Sequence, residues 1–498
     1  MWTRDERCKE VIEKAWDPFS GGSEFQIQDR IKSCQFQLQK WNWEVYGNVS
    51  KNLKNKQHRL QQLEALNMLH ETAGEIKELR KEINEVLNRE ELMWTQRSRA
   101  LWMKCGVRNT QFFHATVTQR QRNNKIEGLW DSSGWWCEDQ GKVEEIILEY
   151  FSSIYSTEQA EFQEPNLEAM TRILTEMNAL LLEEFKAEEV RTALWQMHPT
   201  KSPGPDGMSP IFFQKYWSTV GPSVTKCVLH ALNTGVMPSS INETYICLIP
   251  KLKCPQRITD FRPISLCNVL YKIISKVLAN RLKKILPEVI DEAQSAFVPG
   301  RQITDNVLVT FETMHCIKRK RKGKKGMMAI KLDMSKAYDM VEWRYLEAIM
   351  RRMGFQERWI ALSMMCVKTV SYSVLINGIP KGCINPTRGL HQGDPISPYL
   401  FLLCAEGLSA MIKREMSFGS LNGGQVCRGA PQISHLLFAD DSIIFCRASM
   451  EESNQVIKIL TDYERDSGQK LNGDKTSLFF SKNTLREVQD GVKDLFGA

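Results

Sequence analysis

The sequence offers no Cys-x-x-Cys pair: of its 14 cysteines the closest two, Cys247 and Cys254, stand seven positions apart. Zinc sites built on a two-to-four-residue ligand spacing are thereby excluded. A disulfide framework is not expected either. The opening residues Met1-Trp2-Thr3-Arg4-Asp5-Glu6-Arg7 are charged and contain no apolar core, so no secretory leader is visible. Free thiols in a reducing compartment, nucleus or cytoplasm, are the expectation. Long apolar runs are also missing. The greasiest stretch, Tyr399 to Ile412, is shorter than a bilayer span and carries Glu406, so no membrane association is expected. Surplus charge is scarce: 66 Lys+Arg against 59 Asp+Glu leave +7. Lys318, Arg319, Lys320, Arg321, Lys322, Lys324 and Lys325 account for that surplus in one short stretch. A diffuse polycation is excluded, and contact with nucleic acid must come from local surfaces. With 42% hydrophobic and 25% charged residues, the 498-residue chain is globular in composition.

Residues 1–125 read as a polar, mainly helical extension. Ile76, Leu79, Ile83 and Leu87 recur at helical spacing, which predicts a helical hairpin or short coiled coil. Trp94, Trp102, Phe112 and Phe113 interleave with Arg97, Arg99, Lys104 and Arg108. That pattern suits a stacking and phosphate surface, and equally the packing of amphipathic helices. In region 126–184, Ile126 to Asp139 alternates about Asp131-Ser132-Ser133-Gly134, predicting a β-hairpin. A helix through Phe151 follows, then an acidic, proline-containing linker near Glu161 to Leu167. From about residue 185 short β-rich runs alternate with helical stretches, the texture of an α/β or α+β domain.

Two acidic sites stand out. Met328 to Asp333 is a β-like run ending in an aspartate, with a helical pattern expected from near Ser335. Ser434 to Phe445 places Asp440-Asp441 between two apolar runs, predicting a hairpin with both carboxylates in the turn. Adjacent aspartates repel, and the flanking residues supply no counter-ion. Hard oxygen ligands of this kind suit Mg²⁺ or Mn²⁺. In isolation an Asp-Asp pair reads first as a polar turn, because Asp is a common turn residue.

The neighbouring motifs carry a resemblance. Phe438-Ala439-Asp440-Asp441 resembles the catalytic box of reverse transcriptases, and other segments follow in that family's order. Lys201 to Gly207 looks like the loop that opens the domain in non-LTR retrotransposons, and by analogy a template contact. Leu248 to Lys251 and Asp260 to Leu266 are similar to fingers motifs. Lys331 to Asp339 and Gly389 to Pro398 are similar to the first two palm motifs, and Gly468 to Phe480 to the palm motif after the catalytic hairpin. Gln294 to Arg301 also matches. The resemblance runs from about residue 200 to 481, is close to the LINE-type elements of plant genomes, and extends more loosely upstream through Asn109 to His114.

It implies a right-hand polymerase core, with fingers over 185–330 and palm over 331–498. It also implies a truncated form, lacking endonuclease, thumb, zinc knuckle and RNase H. The implied activity is RNA-directed DNA synthesis, with an RNA template, a DNA primer, dNTPs and two Mg²⁺ or Mn²⁺ ions. The alternative is an inactive retrotransposon relic that binds RNA. By resemblance Asp333, Asp440 and Asp441 are the metal-binding triad and Tyr338 the steric gate against ribonucleotides. Gln392-Gly393 lies against the nascent base pair, Arg262 and Lys251 hold the triphosphate, and Lys475 donates a proton to the pyrophosphate. Asp339 is a local hydrogen-bonding residue. Met340 and His391 stand where the family commonly has arginine, and His391 is expected to weaken a substrate or backbone contact. The basic stretch 318–325 is placed at the mouth of the active site, as a template-contact loop or a nuclear signal.

Overall fold

The computed structural model describes residues 5–16, 26–45, 47, 49–66, 73–98, 110–157, 170, 172–238, 240–427 and 429–497. Its strands are β1 (Leu129–Trp130), β2 (Trp136–Cys137), β3 (Glu243–Pro250), β4 (Phe261–Cys267), β5 (Gly326–Leu332), β6 (Met334–Ser335), β7 (Ser371–Ile376) and β8 (Ile379–Ile384), followed by β9 (His435–Phe438), β10 (Asp441–Ala448), β11 (Lys470–Leu471) and β12 (Ser477–Phe480). Helices fill most of the remainder, so the expected mixed class is the one found.

The central sheet has the order β12-β5-β10-β9, with each neighbouring pair antiparallel. Side chains alternate between its faces with a period of two. Met328, Ile330, Leu332, Ile444 and Cys446 enter the main core, alongside Leu400 and Leu403 of the Ser397–Ser417 helix. Ala329 and Phe445 take the other face, where Ile317 of the Ile303–Arg319 helix packs on them. Burying a side chain of this size stabilises by about 1.5–3 kcal/mol, so both faces hold the sheet in place.

A second sheet runs β4-β3-β7-β8, with β3 parallel to β7. Asn377 (φ 50) and Gly378 (φ 88) close the β7–β8 hairpin, the residue pair that a two-residue turn of this twist prefers. The boundary expected at 330/331 falls inside β5, and β7–β8 lies on the same sheet as β3–β4. The Ser265 N–H donates to the Gln392 carbonyl at 3.0 Å, joining this sheet to the loop before the Ser397–Ser417 helix.

The predicted helical hairpin is present as Val49–Leu66 against Ala73–Ser98. Leu53, Leu79, Ile83 and Val86 form its core, and Arg80 pairs with Glu64 across it at 2.7 Å. Helices Arg7–Ala15 and Gln26–Val45 instead join the main core through Ile12, Trp16, Ile31 and Trp41. β1 and β2 form the predicted hairpin, and the Gln140–Ile154 helix follows it. The proposed linker 161–167 lies outside the described residues, as do Arg99, Trp102, Lys104, Arg108 and the side chain of Arg97. Of the aromatic set that was to stack on bases, Phe113 is buried, and Trp94 packs 4.4 Å from the His114 ring. Among the described residues every cysteine is a free thiol, and no helix is long and apolar enough to cross a membrane.

The basic stretch is not at the mouth of the active site. It leads into Gly326, the first residue of β5, whereas Asp333 follows the last. Seven strand residues at about 3.3 Å each separate the two ends by roughly 23 Å. Asn483 ties the stretch down, its side-chain amide donating to the carbonyls of Gly323 and Lys325.

Glu406, which interrupts the apolar Ser397–Ser417 helix, is buried and accepts the Asp291 N–H at 3.1 Å. Burial pushes its pKa up to about 8. Its folded pKa therefore exceeds its unfolded one, and stability is lost as pH rises from the ordinary carboxylate range toward 8. Glu406→Gln removes that loss. The variant should melt above the parent by a margin that widens between pH 5 and pH 8. Parallel melting curves across that range would show that Glu406 is ionised in the fold.

Candidate active site

β5 and β10 pair with Leu332 opposite Ser442. One step further in that register, Asp333 and Asp441 stand side by side at the end of the sheet. Both share the face of Ala329 and Phe445, because strand side chains alternate. β9 and β10 pair with Phe438 opposite Asp441, so only Ala439 and Asp440 form the turn. Asp441 is thus the first residue of β10, not a turn residue, since the two-residue loop is the form that strand twist favours. Ala439 adopts φ 54 there, a left-handed conformation that costs an L-residue about 1–3 kcal/mol.

No helix begins near Ser335. Met334 and Ser335 form β6 and pair with Leu471 and Lys470 of β11, Lys336 turns at φ 49, and helix starts only at Trp343. That strand pairing brings the segment after Gly468 onto Asp333. The Asn472 N–H donates to the Asp333 carbonyl at 2.9 Å, and Lys475 Nζ lies 2.8 Å from Asp333 Oδ2. The contact with Asp333 raises the Lys475 pKa. Partial burial, followed by the charges of Asp441 and Asp333, raises that of Asp440. Among the described residues no three Asp, Glu, His or Cys side chains are yet drawn close enough to hold a metal ion, and Asp333 is engaged with Lys475. The donor chemistry nonetheless fits a hard divalent cation: Asp333 and Asp441 stand at the ends of neighbouring strands with Asp440 in the adjoining turn, and burial, then the charges of Asp441 and Asp333, push Asp440 toward its neutral form.

Tyr338 is half-buried with its ring flat on Phe401, at 4.7 Å between centroids and 14° between planes. Burial and then the Asp440 charge push its hydroxyl pKa up, so the ring stands within electrostatic reach of the turn. The Leu390 N–H donates to the Tyr338 carbonyl at 2.8 Å, fastening this loop to the one carrying Gln392 and Gly393. Gly393 is exposed at φ 111, a conformation open to glycine and strained for other residues.

Lys251 and Arg262 come from the second sheet and its connection. Lys251 Nζ donates to the Thr259 carbonyl at 2.9 Å. Desolvation, then the charges of Arg262 and Lys475, lower its pKa, which places the three cations within one field. Gly204 of the Lys201–Gly207 segment sits where a Cβ would meet Asn268 N at 2.5 Å, so the loop approaches β4 closely enough to need glycine.

One expectation changes and another holds. His391 makes no surface contact: it is buried between Tyr271 and Tyr372, and desolvation lowers its pKa to about 3. A neutral imidazole fills a cavity where a charged guanidinium would carry a heavy desolvation cost. Asp339 is buried, accepts the Tyr155 hydroxyl at 3.4 Å and has its pKa raised to about 7 by burial. It is a local hydrogen-bonding group, as expected. In the sequence Gln294 is one residue of the Gln294 to Arg301 motif, with no role of its own. It is fully buried, and its Oε1 accepts the N–H of Ala439 in the β9–β10 turn at 3.1 Å.

Residues 249–492 match the reverse transcriptase (RNA-dependent DNA polymerase) family. The chain is 26% identical over 376 residues to the Transposon TX1 uncharacterized 149 kDa protein of Xenopus laevis, covering 74% of this chain and 28% of that one. It is 28% identical over 276 residues to the Pol polyprotein from the type-2 retrotransposable element R2DM of Drosophila melanogaster, covering 55% of this chain and 24% of that one. Over 68 residues it is 54% identical to the uncharacterized mitochondrial protein AtMg01250 of Arabidopsis thaliana, covering 14% of this chain and 56% of that one. The chain thus spans about a quarter of the two long relatives. Residues 249–492, which carry β5, the β9–β10 hairpin and Lys475, thus belong to the reverse transcriptase family, and the two long relatives come from a transposon and a retrotransposable element.

Proposed function

We propose that this chain is an RNA-directed DNA polymerase, extending a DNA primer's 3′-hydroxyl on an RNA template with dNTPs. The observation that carries the reading is the strand register, which sets Asp333, Asp440 and Asp441 at one sheet end beside Tyr338 and Lys475. Asp333, Asp440 and Asp441 would hold two Mg²⁺ or Mn²⁺ ions. When bound, such ions lower the pKa of the attacking hydroxyl and neutralise the leaving pyrophosphate.

The protein's own groups do the rest. Lys475 leaves Asp333 and offers its ammonium proton to the departing pyrophosphate oxygen. Arg262 clamps the triphosphate with two parallel N–H donors, while Lys251 supplies a mobile point charge. Gln392 and Gly393 line the floor under the new base pair, and the Tyr338 ring lies beneath the sugar. The palm is built on the central sheet, so its boundary with the fingers lies before Gly326 rather than at 330/331. The protein's location is the nucleus or cytoplasm.

Primer extension on a defined RNA template with Mg²⁺, stopped by chelation, tests this directly. Absence of DNA product with either Mg²⁺ or Mn²⁺ would overturn it. A pH dependence follows from Asp440, whose carboxyl must ionise to act. Because its pKa is raised, extension should fall off on the acid side at a higher pH than an ordinary aspartate gives. Protons and metal compete for the same oxygens, so more Mg²⁺ should move that limb to lower pH. A limb insensitive to Mg²⁺ would assign the titration to another group.

A further inference from the structure

We infer that Gln294 is a positioning residue for the catalytic turn, acting by holding the Ala439 peptide through its side-chain oxygen. The inference rests on the polymerase reading for its consequence, and on geometry for its substance. Residues 293–295 run alongside β9 as a short parallel bridge centred on Gln294 and Leu437. The Leu437 N–H donates to the Ala293 carbonyl at 2.8 Å, and the Ser295 N–H to the Leu437 carbonyl at 3.2 Å. This leaves the Gln294 side chain pointing along the hairpin toward its tip.

There Oε1 takes two backbone donors, Ala296 N–H at 3.0 Å and Ala439 N–H at 3.1 Å. The second is the one that matters for chemistry. Ala439 occupies the left-handed region at φ 54, which alanine resists, and it immediately precedes Asp440. An oxygen fixed behind its N–H sets the orientation of that peptide, and with it the direction in which the Asp440 carboxylate leaves the backbone.

The clamp is itself braced. Arg301 donates to the carbonyls of Gln294 (2.7 Å), Ile290 (2.7 Å) and Pro287 (3.0 Å) and to that of Asp291, closing the loop from which Gln294 projects. Gln294 is wholly buried, and its Nε2 has no hydrogen-bond partner among the described residues. A buried amide that leaves a donor unsatisfied is retained at a cost, and its acceptor side must offset that cost. Leucine or methionine would fill the space without it. The use that the structure shows for the oxygen is to bind the Ala296 and Ala439 amides.

The test pairs Gln294→Met, which keeps the volume and removes the acceptor, with Ala439→Gly, which takes positive φ without strain. Gln294→Met should lower kcat for nucleotide addition about 10- to 100-fold through misplacement of a reacting group. KM for dNTP and binding of primer–template should stay near parental values. Adding Ala439→Gly should restore much of the lost kcat, and hydrogen exchange over the β9–β10 hairpin should be faster in Gln294→Met alone. A parental kcat in Gln294→Met, or a loss that Ala439→Gly leaves unchanged, would overturn the clamp. Should Gln294→Met fail to fold, exchange at the hairpin of the parent decides: protection of the Ala439 amide supports the clamp, and exchange at the rate of an open turn removes it. A parent that makes no DNA defeats the polymerase reading, yet leaves the exchange measurement free to judge Gln294.

Discussion

Asp440→Asn is expected to reduce primer extension by about 100- to 1,000-fold, the scale seen when an electrostatic stabiliser is removed from a water-excluded site. Binding of the RNA–DNA duplex should be retained, because the substitution touches no cation. The shape of the side chain is preserved, and the turn is set by the backbone pairing of Phe438 with Asp441. The structure adds a signature that simple misfolding cannot imitate. Partial burial and the charges of Asp441 and Asp333 raise the Asp440 pKa, so its ionised form opposes folding. Removing that charge should raise the melting temperature at neutral pH even as activity disappears. Extension that survives Asp440→Asn in a purified sample would remove Asp440 from the metal-binding set. Loss of activity together with a lower melting temperature would point to a structural role.

Tyr338→Val is expected to raise incorporation of ribonucleotides relative to deoxyribonucleotides by about 10- to 200-fold, the range by which a pocket discriminates one small group by contact. The ring is held flat by Phe401 and fastened at its backbone by Leu390, so it cannot swing aside for a 2′-hydroxyl. Valine removes the plane and opens the space beneath the sugar. Tyr338→Phe is the matching control: it keeps the ring, and discrimination should stay at the parental level. An unchanged ratio in Tyr338→Val would return Tyr338 to the role of a core aromatic against Phe401. A changed ratio in Tyr338→Phe would transfer the discrimination to the hydroxyl and its proximity to Asp440.

Local chemistry was legible in the chain itself. Apolar runs that end in Asp333 and flank Asp440-Asp441 became β5, β9 and β10, because alternation on a two-faced sheet leaves a repeating pattern. The helical stripe through Leu79 and Ile83 became the Val49–Leu66 and Ala73–Ser98 hairpin for the same kind of reason. The Asn377-Gly378 turn carries an equally local signal, since Asn-Gly takes the positive φ of a two-residue hairpin loop. What misled was adjacency along the sequence. The basic stretch 318–325 precedes the strand that leads to Asp333, yet an extended strand carries its two ends far apart. Ser335 looked like a helix start, and pairing with β11 held it extended.

Burial and register belonged to the tertiary structure. His391 stands where the family commonly has arginine, which implies a weakened substrate or backbone contact, yet Tyr271 and Tyr372 enclose it, and nothing in a linear pattern reports which polar side chain will be surrounded. Lys475 meets Asp333 only because β6 finds β11. Gln294 reaches Ala439 only because residues 293–295 run beside β9. The sequence by itself determined which residues carry charge, which segments extend and in what order the motifs come. The fold alone decided which carboxylates share a face, which cation neutralises them and what holds the turn, because hydrogen-bond register and desolvation arise only between segments distant in the chain.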